Sequence, residues 1–102
     1  MSVQISTIQR LVAAEWNVTE LTLLSRRRDR RAVEARQVAM WFARTMTGRS
    51  FEAIGRRFAD RDHSTVMHAV RRVTERLAAG DDLVAPVMRL SLALIDIDLK
   101  GA

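Results

Sequence analysis

Between Ser50 and Gly80 a short apolar-periodic segment, a tight polar turn and a longer amphipathic segment follow one another, and this succession limits the possible folds most. Phe51, Ile54 and Phe58 stand at i, i+3 and i+7, with Ser50 before them as a capping hydroxyl. After Ala59-Asp60-Arg61, Asp62 can cap a second helix carrying Val66, Val70, Val73 and Leu77 on one face, stopped near Gly80. Two helices joined this way describe a helix-turn-helix, whose second helix enters a DNA major groove by its N-terminal end. Asp62, His63, Ser64 and Thr65 put four short polar groups at that end, where base edges or phosphates lie in such complexes. A polar cap explains only part of this run, with Asp62 expected to hold the amide of Thr65.

The remaining segments also have helical periods. Ile8, Leu11, Val12 and Trp16 predict a first helix over Ser6 to Trp16, with Ser6 and Gln9 in a capping-box pattern and Asn17 as a left-handed stop. Thr19 can cap a short helix carrying Leu21, Leu23 and Leu24. The next run, Ser25 to Arg31, holds five arginines and one aspartate, a density of like charge that predicts a loop. Ala32 to Thr47 reads as a long helix with Val38, Trp41, Phe42, Thr45 and Met46 on one face, ended by Gly48. Asp81 or Asp82 can cap a last helix carrying Leu83, Val87, Leu90, Leu94 and Ile97, with Pro86 tolerated in its first turn. No segment alternates as a strand does. The expectation is an all-α, compact bundle of about six helices, a single domain over 1–102 with its core at about 5–94.

Charge points to the class of partner. Residues 26–76 carry fourteen arginines against six acids, while both flanking segments are slightly acidic, so the net +5 conceals a strongly basic centre. Such a centre attracts a polyanion by its field and by counterion release. Sixteen of the seventeen basic residues are arginine, whose planar fork suits phosphates and guanine edges. Without cysteine there is no disulfide framework, thiolate metal site or thiol nucleophile. His63 and His68 have no companion ligands at zinc spacing, and Asp81-Asp82 and Asp96/Asp98 read as a cap and a solvated face rather than paired catalysts. Trp16 and Trp41 fall on apolar faces and read as core. No apolar run approaches the ~20 residues of a membrane span. The expectation is a cytoplasmic, nucleoid-associated protein that is not an enzyme and takes no metal or cofactor.

The run Arg61-Asp62-His63-Ser64-Thr65-Val66, followed by His68-Ala69, resembles the signature of the C-terminal, DNA-box-binding domain of the bacterial replication initiator DnaA, a Trp-repressor-like helix-turn-helix. Leu24-Ser25-Arg26-Arg27-Arg28 resembles that family's serine-basic-arginine-arginine loop, and Ala35-Arg36-Gln37-Val38-Ala39-Met40 the start of its long helix. Order and spacing agree from about Ile5 to Leu94. The resemblance implies that Arg28 enters the minor groove of an A·T-rich box, and that Asp62, His63, Ser64 and Thr65 read major-groove edges. It further implies a phosphate contact for Arg44 and a place near the backbone for Arg61. Phe51 and Glu52 fall at the start of the bracing helix, while Arg27, Arg30 and Arg36 are looser contacts.

Three departures stand out. The family's leucine-proline after the capping serine is here Phe51-Glu52, and a carboxylate there is repelled by phosphate but can accept a hydrogen bond from cytosine. Its arginine-proline-arginine is Glu34-Ala35-Arg36, one positive charge fewer. Its glycine pair is Ala59-Asp60, which predicts a stiffer turn. There is no glycine-rich phosphate loop, so ATP-driven assembly has no basis in these residues. The function expected is specific binding of double-stranded DNA at DnaA-box-like sites by a monomer, regulating replication initiation or transcription. The alternative, motivated by Glu34, Glu52 and the altered turn, is an interaction module that binds the full-length initiator, the replicative helicase or another replication protein.

Overall fold

Burial of an inward stripe on each helix dictates where the elements begin and end. A computed structural model describes residues 3–101, with six helices and no strand among them. They are α1 (Ile5–Glu15), α2 (Glu20–Leu24), α3 (Arg30–Thr47), α4 (Phe51–Arg56), α5 (His63–Ala79) and α6 (Val84–Lys100). The fold is all-α, as expected.

α3 is the central post, touching α1, α2, α4 and α5. Its buried surface is wider than the single face read from the large side chains. Ala32, Ala35, Ala39 and Ala43 are buried alongside Val38, Met40 and Phe42, because alanine lets neighbouring helices approach from several sides, whereas Thr45 is exposed. Removing a large side chain from this core typically costs ~2–5 kcal/mol. α5 inserts Val66, Ala69 and Val73 against α3 and α4, and α6 lies on α1.

Most of the expected stops and caps are present. Gly48 and Gly80 close α3 and α5 in the left-handed conformation, Asn17 takes φ 55° after α1, and Thr19 and Ser50 cap α2 and α4 through their hydroxyls. Four boundaries differ from the sequence reading. α1 starts at Ile5 rather than behind a Ser6 cap, with Gln4 at the N-cap and no side-chain bond there. Burial of Ile5 extends the helix, Ser6 faces solvent, and Gln9 turns inward to donate from Nε2 to the carbonyl of Arg57 at 2.7 Å. α3 starts two residues before Ala32, at Arg30, because the Asp29 carboxylate accepts from the Ala32 amide. α4 ends at Arg56, leaving Phe58 in the turn, yet fully buried. α6 has Leu83 at its N-cap with no side-chain cap, while Asp81 bonds the Leu83 amide just ahead of it.

The α4–α5 turn is the tightest place in the chain. The amides of Phe58 and Arg61 both donate to the carbonyl of Gly55 at 3.0 Å. A Cβ at Gly55 would lie 2.1 Å from the Arg61 carbonyl oxygen, so the turn folds back only over a glycine. Ala59 and Asp60 both adopt left-handed backbone, φ 59° and 56°. That is where a glycine pair is unstrained and where alanine costs roughly 1–2 kcal/mol.

Candidate nucleic-acid interface

The N-terminal turn of α5 and the basic loop before α3 form one surface. The loop wall of the cleft between them is Arg26, Arg27 and Arg28, and the opposite wall is Asp60, Asp62 and Thr65. They are far apart in sequence, and two arginines beneath the cleft hold them together. Arg36 is buried on α3. Its Nε donates to the Leu23 carbonyl at 2.8 Å, and its Nη2 to the carbonyls of Ser25 at 2.9 Å and Thr22 at 3.4 Å. Arg61 donates to the carbonyls of Phe58 and Ser25. The Ser25 carbonyl therefore accepts from both guanidiniums, and α3, the loop and the helix-turn-helix turn are tied at one oxygen. Arg26 adds a longer bond to the Ala59 carbonyl, 3.4 Å.

These braces are cationic, and their partners are neutral. Burial, followed by repulsion from Arg36 and Arg26, pushes the Arg61 guanidinium down to about 10, still protonated at neutral pH. Burial lowers Arg36 as well, against the attraction of Asp29. The expectation that Arg36 is a surface contact is thus corrected: its donors go to backbone carbonyls inside the protein. Arg61 is partly exposed and likewise serves the scaffold.

At the start of α5 the four polar residues divide into two pairs. Asp62 does not hold the Thr65 amide with its side chain. Its carboxylate accepts from the Ser64 amide at 3.0 Å and from the Ser64 hydroxyl, while its backbone carbonyl takes the Thr65 amide. The Ser64 hydroxyl and amide hold Asp62 below the usual carboxylate range. Asp62 and Ser64 thus satisfy each other, and the exposed side chains of His63 and Thr65 stand open on the outer face of the same turn. His63 Nδ1 lies 3.6 Å from Asp62, near enough for the carboxylate to orient the ring.

In the loop, Arg27 pairs with Asp29 at 2.9 Å. Arg28 is exposed and has no hydrogen-bond or ion-pair partner among the described residues. Arg44 is half-buried away from the cleft, donating to the Arg49 carbonyl at 2.7 Å with its guanidinium 4.6 Å from the centroid of Phe51. It fixes the α3–α4 corner. Glu52 is exposed in the first turn of α4.

Several contributors were missed in the sequence. Arg72 joins Arg28 and Arg30, both read from the sequence, in a second depression beside the first, lined as well by Glu34, Arg76, Asp81 and Asp82. Arg72 lies seven residues after Thr65, two helical turns along the same side of α5, and that spacing was the available signal. Gly55 was legible only as a glycine before the turn. Glu34, read as a lost positive charge, faces inward: it accepts from Trp16 Nε1 at 2.9 Å and from Arg76 Nη1 at 2.7 Å. Burial works against its charge, but the Arg76 and Trp16 hydrogen bonds outweigh it and its pKa is lowered. Arg76 also holds Asp81 at 2.6 Å and Asp82 at 3.0 Å. Asp81, read as a helix cap, serves both this cluster and the Leu83 amide. Among the described residues, no group of three His, Cys, Asp or Glu side chains is placed to hold a metal ion, and no helix is long and apolar enough to cross a membrane.

A braced short helix, a turn folded over Gly55 and a second helix presenting polar side chains beside an arginine loop define a helix-turn-helix DNA-binding domain. Residues 5–73 match the family described as the bacterial DnaA protein helix-turn-helix, and the chain belongs to that family. It is 49% identical over 94 residues to the chromosomal replication initiator protein DnaA of Mesorhizobium japonicum, covering 92% of this chain and 19% of that protein. Identity to the DnaA of Rhizobium johnstonii is 48% over the same length and shares. To that of Rhizobium meliloti it is 51% over 81 residues, 79% of this chain and 17% of the relative. The chain spans about a fifth of the length of these relatives. Family membership implies DNA binding related to replication initiation.

Proposed function

We propose that this chain binds double-stranded DNA at DnaA-box-like sites, with the first turn of α5 in a major groove and Arg28 in the adjacent minor groove. The observation that carries this reading is the double brace on the Ser25 carbonyl, which holds the loop bearing Arg28 beside Thr65 while leaving Arg28 uncommitted. His63 and Thr65 are the side chains offered to base edges, the Thr65 methyl suiting a thymine methyl. Asp62 and Ser64 act mainly by fixing that turn. Arg72 and Arg30 are offered to phosphates beside the cleft, Arg44 to phosphate only at the α3–α4 corner it also fixes, and Glu52 stands at the rim, where it disfavours phosphate and accepts from cytosine. The protein occupies its site in the nucleoid without hydrolysing ATP and so regulates replication initiation or transcription nearby.

Two of the three motives for a purely protein-binding module have structural duties instead. Glu34 belongs to the Arg76 cluster, and Ala59-Asp60 adopts the left-handed turn that a glycine pair would. Glu52 is the departure with no such duty, and it is exposed. The test is fluorescence anisotropy with a labelled DnaA-box duplex and a scrambled duplex across a salt series. The box should bind at least about tenfold more tightly near physiological salt, with log affinity falling linearly against log salt. Equal binding of the scrambled duplex would refute site specificity.

A further inference from the structure

α6 is apolar on two opposite sides. Val87, Leu90 and Leu94 bury one side in the core. On the other, Met88, Leu92, Ile95 and Leu99 are 50 to 76% exposed, four of the five large apolar side chains that stand exposed among the described residues. Their spacing of four, three and four residues is that of a coiled-coil seam. Along one edge of the seam, seven residues apart, lie Arg89 and Asp96. Arg89 holds Glu15 through Nε and Nη2, and Asp96 meets Lys100 at 3.1 Å on the exposed surface.

We propose that two copies of this chain associate through α6, packed antiparallel about a two-fold axis between Leu92 and Ile95. A two-fold interface requires one patch to be complementary to itself, and the 4-3-4 spacing reads the same from either end. Met88 then meets the partner's Leu99, and Leu92 meets the partner's Ile95. On the edge, Arg89 comes within about 3 Å, along the helix axis, of the level of the partner's Asp96, since each residue advances the helix by 1.5 Å. The contact forms twice. In a parallel pair this edge would instead face the partner's opposite edge, and Arg89 and Asp96 would not meet. The area covered over both copies is on the order of 1,000 Å², the low end for a specific interface. Association is therefore weak and concentration-dependent, a departure from the monomer expected from the sequence.

Analytical ultracentrifugation from the low-micromolar to the sub-millimolar range tests this. The wild-type chain should show a reversible monomer–dimer equilibrium. Leu92→Glu should remain monomeric throughout with unchanged helical circular dichroism, because Leu92 lies outside the core. The chain has no cysteine, so orientation can be read by oxidation: Met88→Cys with Leu99→Cys should form cross-linked dimers, and Met88→Cys alone should not. A wild-type monomer at every concentration, a dimer that survives Leu92→Glu, or cross-linking by Met88→Cys alone would overturn the proposal.

Discussion

Two arginine-centred regions of this molecule use the same side chain to opposite electrostatic ends. Under the cleft, Arg36 and Arg61 bond to backbone carbonyls, so the loop is held and both positive charges survive in the field that a polyanion meets. At the junction of α3, α5 and the segment leading into α6, Arg76 is surrounded by Glu34, Asp81 and Asp82, which cancel its charge, and the Asp81 and Glu34 hydrogen bonds raise its pKa. Both regions are architectural, but only the first adds to the interface. The partner's charge, not the arginine, decides whether building the fold sacrifices binding field.

The contrast can be broken at its acidic end first. Arg76→Ala leaves Glu34 largely buried without its cation, which should lower unfolding free energy by about 3 kcal/mol in urea titration. Box affinity of the folded fraction should fall only about two- to threefold near physiological salt, because the uncovered carboxylates are screened and the braces on the Ser25 carbonyl are untouched. At the neutral end both readouts should move together. Arg36→Met should cost about 2 kcal/mol of stability, because carbonyls it served lose their donor, and should weaken box binding by roughly tenfold as the loop loosens.

Arg28→Ala separates the two quantities. Stability should change by less than about 0.5 kcal/mol, while box affinity falls by about tenfold, a 1.4 kcal/mol loss, measurable by anisotropy. Of the two arginine-centred regions, acid should loosen the Arg76 cluster, since the carbonyls that Arg36 and Arg61 serve do not titrate. Glu34 and Asp81 have pKa values below their ordinary 4.5 and 3.8. Their stabilisation is complete above those values and is lost as pH falls through the lower folded ones. The melting temperature should therefore drop by a few degrees more in wild type than in Arg76→Ala over that window. The smallest effect is a gain: Ala59→Gly relieves left-handed strain and, after the added freedom of the unfolded chain, should stabilise by about 0.5 kcal/mol.

Much of the surface was legible because its signals are local. The Arg28 loop, the polar start of α5 and the glycine stops each lie within a few consecutive residues, and their chemistry is readable there. Where tertiary burial competes with a local signal, the reading failed: Ile5 sinks into the core and α1 starts ahead of the Ser6 pattern. Asp62 differs for a local reason: exposed at the cap, its carboxylate takes the Ser64 amide and hydroxyl while its own carbonyl takes the Thr65 amide.

By itself, the order of residues determined six helical segments, a basic centre and a polar helix start at Arg61 to Thr65, because periodicity, capping and charge density act over one or two turns. Only the tertiary structure decided which arginines are scaffold and which are surface. That division depends on partners eleven to forty-two residues away: Ser25 for Arg36 and Arg61, and Glu34 for Arg76. A guanidinium's sequence neighbours do not reveal whether it will meet a distant carbonyl, a distant carboxylate or water.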